Sequence, residues 1–287
     1  MIRFGPSGNS ESFYEEGNKA SLQMPGWLRK KGLEAYEYQC GKGVKISKET
    51  AHKLGQEAEL NDIFLSIHSP YYINLASTEK EKRDNSIKYI IESLEAASWM
   101  GASRIVVHIG SCSKVSREWA LDTAIKTLKI AISEADGMGL GNISICPEVL
   151  GKKNQLGDLD EILDICGNDD RLIPTIDFGH LHARGMGALK SKSDFSSVLY
   201  KIESKLGIDR LRKIHIHFSR IEFTKGGEKR HWTLDDTQYG PEFEPLAQLI
   251  CEKAMEPVVI CESRGNMAED ALKLKSIYKT IFGEVNI

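Results

Sequence analysis

Apolar and polar positions alternate along this chain in two rhythms. Short runs of β-branched and aromatic residues recur at Ile2–Gly5, Ala35–Tyr38, Phe64–His68, Arg104–His108, Asn142–Pro147, Leu172–Asp177, Lys213–His217 and Pro257–Cys261. Longer stretches with helical spacing lie between them. In Lys80–Met100 the residues Ile87, Ile90, Ile91, Leu94 and Ala97 share one face, and Gly101 follows as a stop signal. Ser116–Met138 places Leu121, Ala124, Ile125, Leu128 and Ile132 inward, and Ser47–Asn61 and Ala268–Phe282 read alike. The stretch from Gly8 to Met24 is weakly patterned and reads as loop and short helical turns. Strands separated by helices of ten or more residues predict a parallel sheet. Continuous apolar runs such as Ile105-Val106-Val107 and Val258-Val259-Ile260 suit strands buried on both faces. Eight such strands in 287 residues predict one domain, residues 1–287, folded as an α/β (β/α)8 TIM barrel.

The strand ends carry chemistry. Six of the runs finish in, or just before, a residue able to bind metal: His68, His108, Glu148, Asp177, His215 and Glu262. In a parallel barrel all C-terminal strand ends meet at one face. Singly, each residue has a bland reading, a hydrogen-bonded core histidine or the N-cap of the next helix. Gathered together, three imidazoles and three carboxylates call for compensating positive charge, and these donors suit zinc, manganese or iron. His180 follows three residues after Asp177, and His231 follows the basic stretch Lys225–Arg230, read as a loop. His215 and His217 alternate on one strand and point the same way, so only one lies at the depth of the cluster. His182 is a weaker candidate, and His52 falls in a helical pattern as a surface residue.

Composition narrows this picture. The net charge of −3 argues against a chain that binds nucleic acid through bulk charge. No apolar run approaches the roughly 18 residues of a membrane helix, and the N-terminus lacks the pattern of a secretory signal, so a cytoplasmic protein with no membrane partner is expected. The six cysteines, Cys40, Cys112, Cys146, Cys166, Cys251 and Cys261, form no CxxC pair and read as reduced core thiols.

At this point the residues resemble a known family. His68-Ser69-Pro70-Tyr71-Tyr72-Ile73-Asn74-Leu75 is similar to the HxxYxxNL segment of the endonuclease IV family, apurinic/apyrimidinic endonucleases within the xylose-isomerase-like barrels. His108-Ile109-Gly110-Ser111 resembles its HPGS, Pro147-Glu148 its LE, Ile176-Asp177-Phe178-Gly179-His180 its IDxxH, and Cys261-Glu262 its ET. His215-Ile216-His217-Phe218-Ser219-Arg220 resembles its HLNDSK with the first histidine in register, which selects His215. The resemblance implies hydrolysis, by a zinc centre, of the phosphodiester 5′ to an abasic sugar in double-stranded DNA during base excision repair. It implies one metal at His68, His108 and Glu148, a second at Glu148, Asp177, His215 and Glu262, and a third at His180 and His231. Glu148 is then both bridge and catalytic residue. Tyr71 and Asn74 fall at positions near the substrate, and Arg220, Lys42 and the stretch containing Lys229 and Arg230 would meet the DNA backbone.

Two departures stand out. The family's DxH places an aspartate where this chain has Lys229, so two or three zinc ions, or manganese, are expected, with Glu228, Asp235 or Asp236 as replacement donors. The segment Tyr38–Gly43 also differs from the family's DNA-inserting loop. A monomer is expected. The competing expectation is a sugar isomerase or epimerase with one metal at Glu148, Asp177, His215 and Glu262.

Overall fold

The computed structural model describes residues 1–285, with side chains through Gly283. The predicted alternation forms eight parallel strands: β1 Arg3–Pro6, β2 Ala35–Gln39, β3 Phe64–His68, β4 Arg104–Val107, β5 Ser144–Pro147, β6 Thr175–Asp177, β7 His215–Phe218 and β8 Val258–Cys261. Strands β2, β3, β4 and β5 are hydrogen-bonded in that order, as are β1, β8, β7 and β6. Parallel bridges Ser7–Glu37 and Glu148–Thr175 join the two sets into a closed barrel. The strand ends agree with the sequence better than the starts do. β6 begins after Pro174, which has no N–H to give to the ladder.

Eight helices wrap the barrel: α1 Met24–Lys31, α2 Lys48–Leu60, α3 Lys80–Met100, α4 Arg117–Gly137, α5 Leu159–Cys166, α6 Lys192–Leu206, α7 Glu244–Glu252 and α8 Met267–Val285. α3 has the predicted bounds because Gly101 takes the left-handed conformation, φ 68°, that ends it. α2 and α4 start at Ser47 and Ser116, whose side chains accept from the Thr50 and Trp119 amides. Gly8–Met24 holds two short turns, Glu11–Glu15 and Ser21–Gln23, before α1.

One expectation fails. The basic stretch Lys225–Arg230 is not a loop. Strand Arg220–Thr224 pairs antiparallel with strand Gly227–Trp232, forming a hairpin above the barrel mouth. The core follows from apolar strand residues packed against the helices, and five of the six cysteines are buried in it or beside it. His52 is exposed on α2, as expected. No described helix is long and apolar enough to cross a membrane.

Candidate metal centre

At the C-terminal ends of the strands the side chains converge around Glu148. This residue follows β5, held by its amide to the Val107 carbonyl at 3.1 Å, and is fully buried. Its Oε2 lies 3.3 Å from His68 Nε2 and 2.9 Å from His108 Nε2. Its Oε1 lies 3.2 Å from His217 Nδ1 and 3.5 Å from His180 Nδ1. Both carboxylate oxygens are therefore shared.

The donor atoms fall into adjoining sets, each close enough to hold one ion: His68, His108 and Glu148; Glu148, Asp177, His217 and Glu262; and His180, Glu228 and His231, with a deeper set of Glu37, His215 and His217 beneath them. The donors fit a divalent metal on two grounds. They are imidazole nitrogens and carboxylate oxygens, the ligand types of zinc and manganese. In addition, Asp177 divides its oxygens. Oδ1 accepts from the His180 amide at 2.8 Å, capping the helix Phe178–Arg184, while Oδ2 is buried, 3.2 Å from His180 Nδ1, and makes no hydrogen bond. The bland reading as an N-cap and the reading as a ligand hold together, one oxygen each.

The histidines are pre-oriented. His68 Nδ1 lies 2.9 Å from the Ser69 carbonyl, His180 Nδ1 lies 2.9 Å from the Val149 carbonyl, and His231 Nδ1 lies 2.8 Å from Ser219 Oγ. With Nδ1 of His68 and His180 protonated toward these carbonyls, Nε2 is their free donor atom. Burial opposes charge on every group here, and the neighbours decide the balance. Burial would raise Glu148, but His108 and His217 hold it well below the usual carboxylate range. Burial lifts Asp177 to about 6, with His180 opposing. Burial would lower His68 and His180, yet Glu148 draws His68 up to about 8 and Asp177 draws His180 up to about 9.

The profile of the xylose isomerase-like TIM barrel family matches residues 26–277. The chain belongs to this family. An uncharacterized protein of Methanocaldococcus jannaschii is 33% identical over 98% of both chains. A probable endonuclease 4 of Mycoplasma genitalium is 27% identical over 84% of each. Among solved structures, endonuclease IV from Thermus thermophilus superimposes with a TM-score of 0.67 at 18% identity, covering 93% of this chain and 96% of that one. A D-tagatose 3-epimerase-like protein gives 0.68 at 21% identity, over 88% and 90%. These likenesses show a shared barrel.

Within this xylose isomerase-like barrel several expected positions move. His215 does not join the set around Glu148, whereas His217 does; His215 falls in a deeper set with Glu37 and His217. β7 pairs His217 with Asp177 and His215 with Thr175, so His215 sits a layer deeper, 3.0 Å from Glu37 Oε2. The expected carboxylate at Lys229 is supplied one residue earlier. The hairpin register shifts between Glu222 and Phe223, pairing Glu222 with Arg230 but Phe223 with Glu228. Lys229 is the extra residue of a β-bulge, so it turns out to Glu222 while Glu228 turns in. Glu228 lies 3.5 Å from His180 Nε2 and 3.8 Å from His231 Nε2. Gly151 makes room for it, since a Cβ there would lie 2.5 Å from Glu228 Cβ.

The expected substrate contacts also change. Arg220 is buried and gives its hydrogen bonds to the Asp236 and Tyr239 carbonyls and to Glu242, so it braces the chain after the hairpin. Lys229 and Arg230 do line the cleft beside Glu262, and Arg230 also stacks over Trp232, 4.8 Å from the ring centre. Asn74 accepts from the Ser111 amide at 3.3 Å and packs on Gly110, whose φ of 137° and lack of a side chain permit that approach. It holds the loop after His108 and does not line the cleft. Tyr71 does line it, with its ring 5.1 Å from His68 and 5.3 Å from His108. His182 packs against Phe223, outside every donor set. The cleft of about 370 Å³ over Glu148 is walled by Tyr71, Lys152 and His231.

Sequence reasoning missed Glu37. It lies mid-strand in β2, facing inward and fully buried. A charged residue flanked by Tyr36 and Tyr38 in a strand was the available signal.

Proposed function

We propose that this chain is a divalent-metal phosphodiesterase that cuts double-stranded DNA 5′ to abasic sites, using two or three zinc ions, with manganese as the alternative. The observation that carries the reading is the sharing of Glu148 between two donor sets, with a third set adjoining at His180, whose other ring nitrogen lies 3.5 Å from Glu148. A single-metal enzyme needs four of these donors and leaves His68, His108, His180 and His231 without a task. Paired metals serve phosphoryl chemistry. The relatives called probable endonuclease 4 support the same direction.

Bound at these donor sets, divalent ions would supply positive charge to ionise a water near neutral pH and to offset charge on the phosphoryl oxygens. The protein does the rest. Glu148 stays anionic through its histidine neighbours and orients the attacking water at its shared oxygens. Asp177, His217 and Glu262 fix the position opposite His68 and His108. Tyr71 forms the wall against which a deoxyribose could pack. Cations at the mouth hold the flanking phosphates.

Metal analysis of the purified protein should find two or three zinc ions per chain. Incubation with a duplex carrying one abasic site should give cleavage that a chelator abolishes and zinc restores. Glu148→Gln should cut the rate by about 10²–10⁴-fold while the fold persists by circular dichroism. One ion with no cleavage, or unchanged turnover in E148Q, would overturn the reading. The second reading, a one-metal sugar epimerase, has its own support: Glu148, Asp177, His217 and Glu262 form a complete four-donor site, and solved neighbours include an L-ribulose 3-epimerase with TM-score 0.69. Ketose epimerisation without strand cleavage would decide for it.

A further inference from the structure

We propose that Glu37 is a positioning residue that holds His217 with its proton on Nε2, so that Nδ1 faces the metal centre; this rests on the metal-centre reading above. The carboxylates around His217 divide by ring nitrogen. Glu37 Oε1 lies 3.1 Å from Nε2, at ion-pair distance without hydrogen-bond alignment, whereas Glu148 and Glu262 lie 3.2 and 3.5 Å from Nδ1. His68, His180 and His231 do the reverse, giving Nδ1 to a carbonyl or hydroxyl and turning Nε2 to the site. His217 has no such acceptor. It sits inside the barrel, where the strand carbonyls are committed to their ladders, and Glu37 brings a carboxylate from β2 to ion-pair distance of its Nε2. An imidazole with a carboxylate behind it is a stiffer and more basic ligand.

Glu37 is itself held from behind. Ser66 Oγ donates to its Oε2 at 2.9 Å, and His215 Nε2 lies 3.0 Å from the same oxygen. Strand β2 continues the support outward. Gln39 Nε2 donates to Ser7 Oγ at 2.6 Å, and Ser7 Oγ donates to Glu262 Oε1 at 3.1 Å. Two successive inward-facing residues of one strand thus orient two donors of one set. A buried carboxylate present only to neutralise histidines would not need to face the ring nitrogen opposite the site.

The test compares metal binding and ring protonation. In zinc-loaded wild-type protein, long-range ¹H–¹⁵N spectra should show His217 as the Nε2–H tautomer; an Nδ1–H tautomer overturns the proposal. Glu37→Gln preserves shape and lowers basicity. Its zinc affinity at the Glu148–Asp177–His217–Glu262 set should fall by about 10–100-fold in competition with a chelating dye, and Glu37→Asp should recover part of the loss. Unchanged affinity in a folded E37Q overturns the proposal. If E37Q does not fold, the wild-type tautomer alone decides. Wild-type protein that binds no zinc fails earlier, and overturns the metal-centre reading together with this one.

Discussion

At the residue scale, the site was legible where a donor ends a strand and illegible where depth decides. His68, His108, Glu148, Asp177 and Glu262 come together because each lies at the end of its strand, a position that the apolar runs mark in the sequence. His215 and His217 present one face at period two, and nothing in the sequence says which is level with Asp177. The ladder does, pairing Asp177 with His217. This distinction is measurable. His217→Gln should lose one ion per chain by metal analysis, whereas His215→Gln, which can still hydrogen-bond Glu37 from a deeper layer, should keep the full complement. Equal loss in both variants would return His215 to the centre. Glu37 carries no such mark, because its carboxylate comes from the middle of β2.

At the scale of elements, the loops that carry donors are tied down by polar straps. Arg117, in the first turn of α4, donates to both oxygens of Glu161 at 2.7 and 2.6 Å, to the Lys153 and Gln155 carbonyls, and to Cys112 Sγ. Glu161 also accepts from the Gly157 and Asp158 amides, closing a capping box at the start of α5. One ion pair thus joins the loop after His108 to the loop after Glu148. Burial would raise Glu161, but Arg117 and the two amides outweigh it, and its carboxyl lies below the usual 4.5. A depressed folded-state value means that the stabilisation is complete above about pH 4.5 and is lost as pH falls through the folded value. Glu161→Gln should therefore cost about 1.5–3 kcal/mol at pH 7 in urea denaturation, and the gap to wild type should narrow as pH falls through the depressed folded-state value. A gap that stays constant with pH would show that the charge contributes nothing. The helices of this layer were legible because their caps are local, whereas the strap joins residues forty-four positions apart.

At the scale of the molecule, net charge gives the wrong impression of the mouth. The chain carries −3 overall, yet four exposed cations lining the connected clefts, Lys42, Lys45, Lys152 and Arg264, make no ion pair among the described residues. The hairpin cations that the sequence favoured line the same clefts but are engaged, Lys229 and Arg230 with Glu222 and Arg230 also with Trp232. Binding of an abasic duplex to a Lys42/Lys45/Lys152/Arg264 alanine variant should weaken. The slope of log affinity against log salt should flatten by up to about 0.9 for each phosphate no longer neutralised. A Lys229/Arg230 alanine variant should change that slope less, and the opposite ranking would put the backbone contacts on the hairpin. The barrel itself was legible from its eight-fold alternation, while the hairpin was not, because its strands read as a charged loop.

That hairpin makes polarity at the cleft a matter of counting. With the bulge, an acidic side chain stands between His180 and His231. In an otherwise equal ribbon lacking the irregularity, Lys229 would take the inward position and the same composition would present a repelling ammonium to any cation. A single surplus residue on one strand therefore sets the sign of the field over that part of the floor.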